Sequence, residues 1–159
     1  MNVLRADLRR EVIRVPQTAN NIAKQLKRAI NDSQESARYL AKKFSNNNAR
    51  LAKQVYKFAD HYIQYDQESA KRQTAKTVNR ILHDGKGDCK HYSILIASIL
   101  KAKNKPFVLR MISQNFYDKE PTHIYVVAFD NSGNEIIIDP CMFAFNKEAR
   151  RNYKYDLKV

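Results

Sequence analysis

Three side chains able to cooperate in thiol chemistry follow one another along the chain: Cys89 within Lys86-Gly-Asp-Cys-Lys-His-Tyr-Ser93, His123 at the head of a β-branched run, and Asp139 just before Pro140. A cysteine opening a buried helix, with a histidine and a carboxylate downstream, is a recurrent arrangement for acyl transfer. The thiolate attacks a carbonyl, the imidazole moves the proton and the carboxylate orients the ring. Taken singly, each residue also has a structural reading. Cysteine packs as a small hydrophobe, strand histidines satisfy local polar groups and Asp-Pro starts turns. Their order and setting together favour the chemical reading.

Two of the three can be placed relative to each other by strand pairing. Residues 122–129 and 135–139 are rich in β-branched and aromatic side chains and flank Asp130-Asn-Ser-Gly-Asn134, a hairpin-turn composition. A turn centred near Asn131 or Ser132 pairs residues whose numbers sum to about 262–264, a range that includes the pair His123 and Asp139. The expectation is that these two stand directly opposite each other on one face, with Cβ atoms roughly 4.5–5.5 Å apart. The carboxylate would then fix the imidazole tautomer and leave the second ring nitrogen for a thiol proton.

The nucleophile must be a thiolate, and an unassisted thiol is ionised to only a few per cent at neutral pH. The sequence around Cys89 predicts help. Gly85 to Asp88 ends the preceding segment, Asp88 is a suitable N-cap, and Ile94, Leu95, Ala97, Ile99, Leu100 and Ala102 make the following helix apolar nearly all round. Such a helix is buried. Its first-turn N–H groups and dipole favour an anion and offer a donor to an oxyanion. A protonated His123 would favour the thiolate further, whereas Asp88 would oppose it unless its charge turns back into the cap, the orientation expected here.

On these residues, the segment from Ile63 to Asn146, about half of the chain, resembles a transglutaminase-like domain of the papain-like cysteine fold, in its small microbial and phage-encoded forms. The matching pieces are Gly87-Asp88-Cys89, the helix Ser93 to Leu100, the strand Pro106 to Ile112 with Arg110 and Met111, the strand beginning Thr122-His123, and Ile138-Asp139-Pro140. The resemblance implies an α+β fold in which a central Cys-bearing helix packs on an antiparallel sheet. It assigns Cys89 as nucleophile, His123 as general base and acid, and Asp139 as orienting carboxylate. It also points to Gln73 as a polar group near the site, for which a solvated helix position is the competing reading. Asp88 and Lys90 are further oxyanion or site-lining candidates. Two departures stand out: His91 occupies the position where many relatives carry an acidic residue, and the chain has no Trp, which many relatives place near the oxyanion.

The implied function is thiol-dependent acyl transfer through an acyl-thioester on Cys89, acting on a protein glutamine or peptide bond as a transglutaminase, deamidase or protease. The competing reading is a binding or structural module, such as a phage virion or assembly component, that keeps the fold with little or no catalysis. No cofactor is expected. Zinc is disfavoured because there is no Cys-x-x-Cys pair, and Cys89 and His91, two apart on a helix, diverge. Calcium would need an acidic loop, and none is present. Cys89 and Cys141 are expected as free thiols in a reducing compartment; the competing reading is a bridge between them, which would block the nucleophile.

The chain has 159 residues and a formal net charge of +13. Its basic excess is uneven, with 16 Lys+Arg against 7 Asp+Glu in residues 1–76 and 13 against 9 in 77–159. Residues 1–48 are expected as a basic helical extension and 49–159 as the catalytic-type domain. Ile22 to Phe44 and Leu51 to Ile63 each show helical spacing, interrupted by Ser45-Asn-Asn-Asn48, which predicts two amphipathic helices. Residues 2–16 fit either a short strand or a helical turn. The expected partner is a protein substrate, and the basic half could meet an acidic protein surface or nucleic acid, although no nucleic-acid motif appears and solvated helix faces account for most of the charge. No apolar run approaches the roughly 18 residues that span a bilayer, and no signal segment is evident, so a cytoplasmic location is expected, or a virion one if phage-encoded.

Overall fold

The structure, a computed structural model, describes residues 8–12 and 18–159. Its centre is the helix that the apolar run predicts. This helix, α5 (Cys89–Ala102), is buried along its length from Lys90 to Leu100. Four earlier helices surround it: α1 (Ala19–Asp32), α2 (Gln34–Ala41), α3 (Asn48–Tyr62) and α4 (Val78–Asp84).

The starts of these helices are written in the sequence. Thr18 caps α1 by accepting the Asn21 N–H, and Asn47 caps α3 by accepting that of Arg50. The first periodic stretch, expected as one helix, is two. Ser33 breaks it: its hydroxyl donates to the Ala29 carbonyl at 2.6 Å and accepts the Val78 N–H at 2.9 Å. A residue of α4 thus bonds at the point where α1 gives way to α2, a tertiary contact invisible to periodicity. Helix α4 follows Thr77 and ends at Gly85, whose φ of 63° provides the left-handed stop.

Against α5 lies a four-stranded antiparallel sheet in the order β7-β6-β5-β8, formed by β5 (Phe107–Ser113), β6 (His123–Phe129), β7 (Glu135–Ile138) and β8 (Tyr153–Leu157). Two small pairs complete the fold. β1 (Arg10–Val12) lies antiparallel to β3 (Thr74–Lys76), and β2 (Gln64–Tyr65) runs parallel to β4 (Lys86–Gly87). Of the two readings of residues 2–16, a strand is found at 10–12, while 1–7 and 13–17 lie outside the described residues.

One core joins Leu26 and Ile30 of α1, Leu40 of α2, Leu51 and Val55 of α3, nearly all of α5, and Leu109, Met111, Val126 and Ile138 of the sheet. Each such side chain, fully buried, contributes about 1.5–3 kcal/mol. The opposite sheet face holds a smaller cluster of Ile112, Tyr125, Val127, Ile137 and Ala149. At its centre is Arg110, completely buried, which bonds Asp156, Glu135 and Glu148 at 2.7–2.9 Å. Among the described residues, no helix is long and apolar enough to cross a membrane.

Candidate active site

Cys89 is the first residue of α5, half-buried, with its sulfur at the helix N-terminus. Asp88 caps the helix as expected. Its carboxylate accepts the Lys90 N–H at 3.1 Å and pairs with the Lys90 ammonium, so its charge is turned into the cap. His91 stands at the third helical position, where a capping box carries Glu or Gln. Its Nδ1 lies 3.1 Å from both the Asp88 backbone nitrogen and Asp88 Oδ1, and its Nε2 lies 3.3 Å from Thr74 Oγ1. Thr74 in turn donates its hydroxyl and its N–H to the Glu68 carboxylate, which lies 3.6 Å from the Lys90 ammonium. His91 therefore fastens the start of α5 to the first residue of β3 and, through Thr74, to Glu68. No local pattern signals this network, because Glu68, Thr74 and His91 converge only in three dimensions.

His123 begins β6, and its Nε2 lies 2.6 Å from Asp139 Oδ2. The strand register differs from the direct opposition expected. Val126 pairs with Ile138 and Val127 with Ile137, so Asp139 falls just past the last paired residue and meets His123 on the diagonal. An offset of two residues keeps both side chains on one face, which is why the contact survives the shift. Asp139 also caps the 3-10 turn Pro140–Met142, and its Oδ1 accepts the Cys141 N–H at 3.1 Å. Both carboxylate oxygens are thereby engaged and the group is buried.

With Nε2 facing Asp139, the other ring nitrogen, Nδ1, is left for Cys89, which lines the same cleft and acts on the imidazole. Burial alone would lower the imidazole's pKa. Hydrogen bonds to Asp139 and Cys89, and the charges of both, outweigh burial and raise it from 6.5 to about 10. Cys141 is a free thiol beside this group. Burial pushes its pKa up strongly, and the nearby Asp139 and Cys89 add to the shift. It stays protonated.

Cys89 and His123 line an open cleft of about 360 Å³, together with Tyr65, Gln67, Glu68, Thr122 and Ile124, while Asp139 lies buried behind the imidazole. Gln73, Asp88 and Lys90 line it as well. Gln73 precedes β3 rather than lying on a helix, and its amide nitrogen donates to the Ser69 carbonyl at 2.9 Å. His123, Asp139 and Cys141 present donor atoms within 4.8 Å of one another, as do Glu68, Asp88 and His91. In the first set the 2.6 Å contact has the length of a shared proton, since two ligands at about 2.0–2.2 Å from one tetrahedral zinc stand more than 3 Å apart. The second set is already bonded to Lys90 and Thr74.

Gly87 explains the small residue that precedes the cap. A Cβ there would lie 2.6 Å from His91 Cβ and 2.8 Å from its Cγ. Gly87→Ala is expected to destabilise the protein by about 2 kcal/mol, within the usual range for overpacking, read from urea unfolding. Adding His91→Gly to it should cost less than the sum of the two single changes, because the Cβ and the ring that the new methyl would strike are both gone.

A family model described as a transglutaminase-like domain matches residues 18–146. Two solved structures are similar in shape. A proposed protease from Parabacteroides distasonis aligns with a TM-score of 0.63 at 12% identity, over 78% of this chain and 27% of that one. A proposed cysteine protease from Cytophaga hutchinsonii aligns with a TM-score of 0.51 at 15% identity, over 82% of this chain and 46% of that one. This chain thus spans less than half the length of either. No curated protein matches it in sequence. The fold is the α+β, papain-like transglutaminase type.

Proposed function

The chain belongs to the transglutaminase-like domain family, and on that premise we propose that it carries out thiol-dependent acyl transfer on a protein substrate, with Cys89 as the nucleophile. The observation that supports this most is His123, placed at the mouth of a cleft between a buried carboxylate 2.6 Å away and a cysteine at a helix N-terminus.

In this reading the imidazole takes the thiol proton on Nδ1, and the thiolate attacks a glutamine carboxamide or a peptide carbonyl. The Lys90, His91 and Tyr92 amides are taken up by Asp88. The Cys89 N–H, next to the sulfur, is the donor left for the oxyanion. His123 then returns the proton to the departing ammonia or amine, leaving an acyl-thioester. Attack by water completes a hydrolysis or deamidation, and attack by a lysine amine completes a crosslink. Asp139 holds the ring throughout. Gln73, Asp88 and Lys90 are proposed as wall residues of the same cleft, and residues 1–48 as a basic N-terminal extension that packs on the 49–159 domain through α1 and α2.

The test is mass spectrometry of candidate protein substrates incubated with the protein and with Cys89→Ala. Cleavage, a one-dalton deamidation shift or an ammonia-releasing crosslink is expected only with the unsubstituted protein. Identical products, or none alongside slow alkylation of Cys89 by iodoacetamide, would leave a binding module as the better account.

A further inference from the structure

Along α3, Arg50, Lys53, Lys57 and His61 recur every three or four residues, which places them in one row on the solvent side of the helix. The core side is Leu51, Ala52, Val55 and Ala59. From residue 36 to residue 59 the chain carries six Lys or Arg and no Asp or Glu. Elsewhere, Arg9, Arg28, Lys76, Arg80, Lys86, Lys90, Arg110 and Arg151 each have a carboxylate within 4.0 Å. The side chains of Arg50, Lys53 and Lys57 are exposed and engage in no ion pair among the described residues.

The row also has a direction. Helix α3 runs toward the cleft: its C-terminal residue Tyr62 is followed by Ile63, whose carbonyl accepts the Tyr92 hydroxyl at 2.7 Å, and then by Tyr65 and Gln67, which line the cleft. At about 1.5 Å per residue, the cations from Arg50 to Lys57 cover about 10 Å. Successive charges are about 4.5–6 Å apart along the axis, a spacing that neighbouring carboxylates on one face of a peptide can match.

We propose that the exposed face of α3 is a docking surface for an acidic segment of the protein substrate, which it holds while a neighbouring part of the same chain enters the cleft at Cys89. The proposal rests on the reading of the cleft as a site acting on proteins. From the row the chain passes the exposed Asp60 and Asp66 to reach the cleft-lining Tyr65 and Gln67, and a protein partner is favoured over nucleic acid because a nucleic acid offers the thiol neither a glutamine carboxamide nor a peptide bond. Such a surface adds encounter rate and orientation, and it weakens with salt.

The test uses a short fluorescein-labelled oligoglutamate and, beside it, a labelled oligothymidylate, with affinity read by anisotropy at low and physiological salt. Two triple variants remove the same charge: Arg50→Gln/Lys53→Gln/Lys57→Gln on α3, and Lys119→Gln/Lys154→Gln/Lys158→Gln, three exposed cations on and beside β8. The α3 variant should lose about tenfold in oligoglutamate affinity and the control less than about twofold, as a sum of three exposed contacts predicts. Circular dichroism should show both variants folded. Equal losses in the two variants, or no oligoglutamate binding, would overturn the docking surface. So would a result in which only oligothymidylate binding depends on α3, which would make the face a nucleic-acid surface. Iodoacetamide labelling of Cys89 in the α3 variant separates the two readings, because it should be unchanged if the thiol site is right, whatever the peptide does.

Discussion

Replacing His123 with Ala is expected to slow iodoacetamide alkylation of Cys89 at pH 6 by roughly 10- to 100-fold. An imidazole whose pKa is lifted to about 10 is protonated at pH 6, and an imidazolium in contact with sulfur favours the thiolate. A thiol with no such partner is ionised to well under about one per cent at that pH. The gain is less than the change in ionisation, because a stabilised thiolate is a weaker nucleophile. The difference should shrink toward pH 9, where an ordinary thiol ionises unaided. An unchanged rate at pH 6 would mean that ring and sulfur are not in contact.

The same substitution has a stability signature whose sign is fixed by linkage. The folded pKa of His123 lies above the unfolded value of 6.5, so its contribution is fully present below pH 6.5. It is lost as pH rises toward about 10. Urea unfolding of the protein and of His123→Ala should therefore differ most near pH 6 and converge in alkali.

The largest effect on stability is expected at Arg110, in Arg110→Met. The guanidinium is wholly buried and gathers Glu135, Glu148 and Asp156, with Tyr125 donating to Glu148 at 2.7 Å. A methionine would fill much of the volume but leave three carboxylates around a vanished charge. Removing one partner of a buried ionic group costs about 3–5 kcal/mol. These carboxylates reach solvent in part, so a loss near the lower end, about 3 kcal/mol, is expected in urea unfolding. Hydrogen bonding to Arg110 is the main cause holding Glu135 and Asp156 below the usual carboxylate range. Their contribution is present above their ordinary values and lost as pH falls. The gap between protein and variant should close on acidification from pH 5 to pH 3, and a gap independent of pH would mean that packing, not charge, governs the site.

Much of the site was legible because its parts are local. A Gly-Asp-Cys start followed by an unbroken apolar run specifies a capped, buried helix with the sulfur at its first turn. Alternation on both sides of Asp130–Asn134 specifies a hairpin that brings His123 near Asp139, and because side chains alternate with period two, a register error of two residues preserved the contact. The break at Ser33 was not legible: it depends on a hydrogen bond from Val78, 45 residues away, and helical spacing runs straight through it. Arg110 gave no signal either. A lone arginine in an apolar strand is explained only by carboxylates from β7, β8 and the segment between them.

The amino-acid order alone therefore determined the capped helix that begins at Cys89, the hairpin around Asp130–Asn134 and the chemistry-bearing residues that begin or end them, since caps, periodicity and turn composition act over a few neighbouring residues. Tertiary packing decided what those residues touch: which ring nitrogen of His123 faces Asp139, that Asp88 spends its charge on Lys90, that His91 braces the loop at Thr74, and that the cations of α3 lie along a helix leading to the cleft. Such contacts join segments far apart in sequence, and their geometry exists only once the core around α5 has closed.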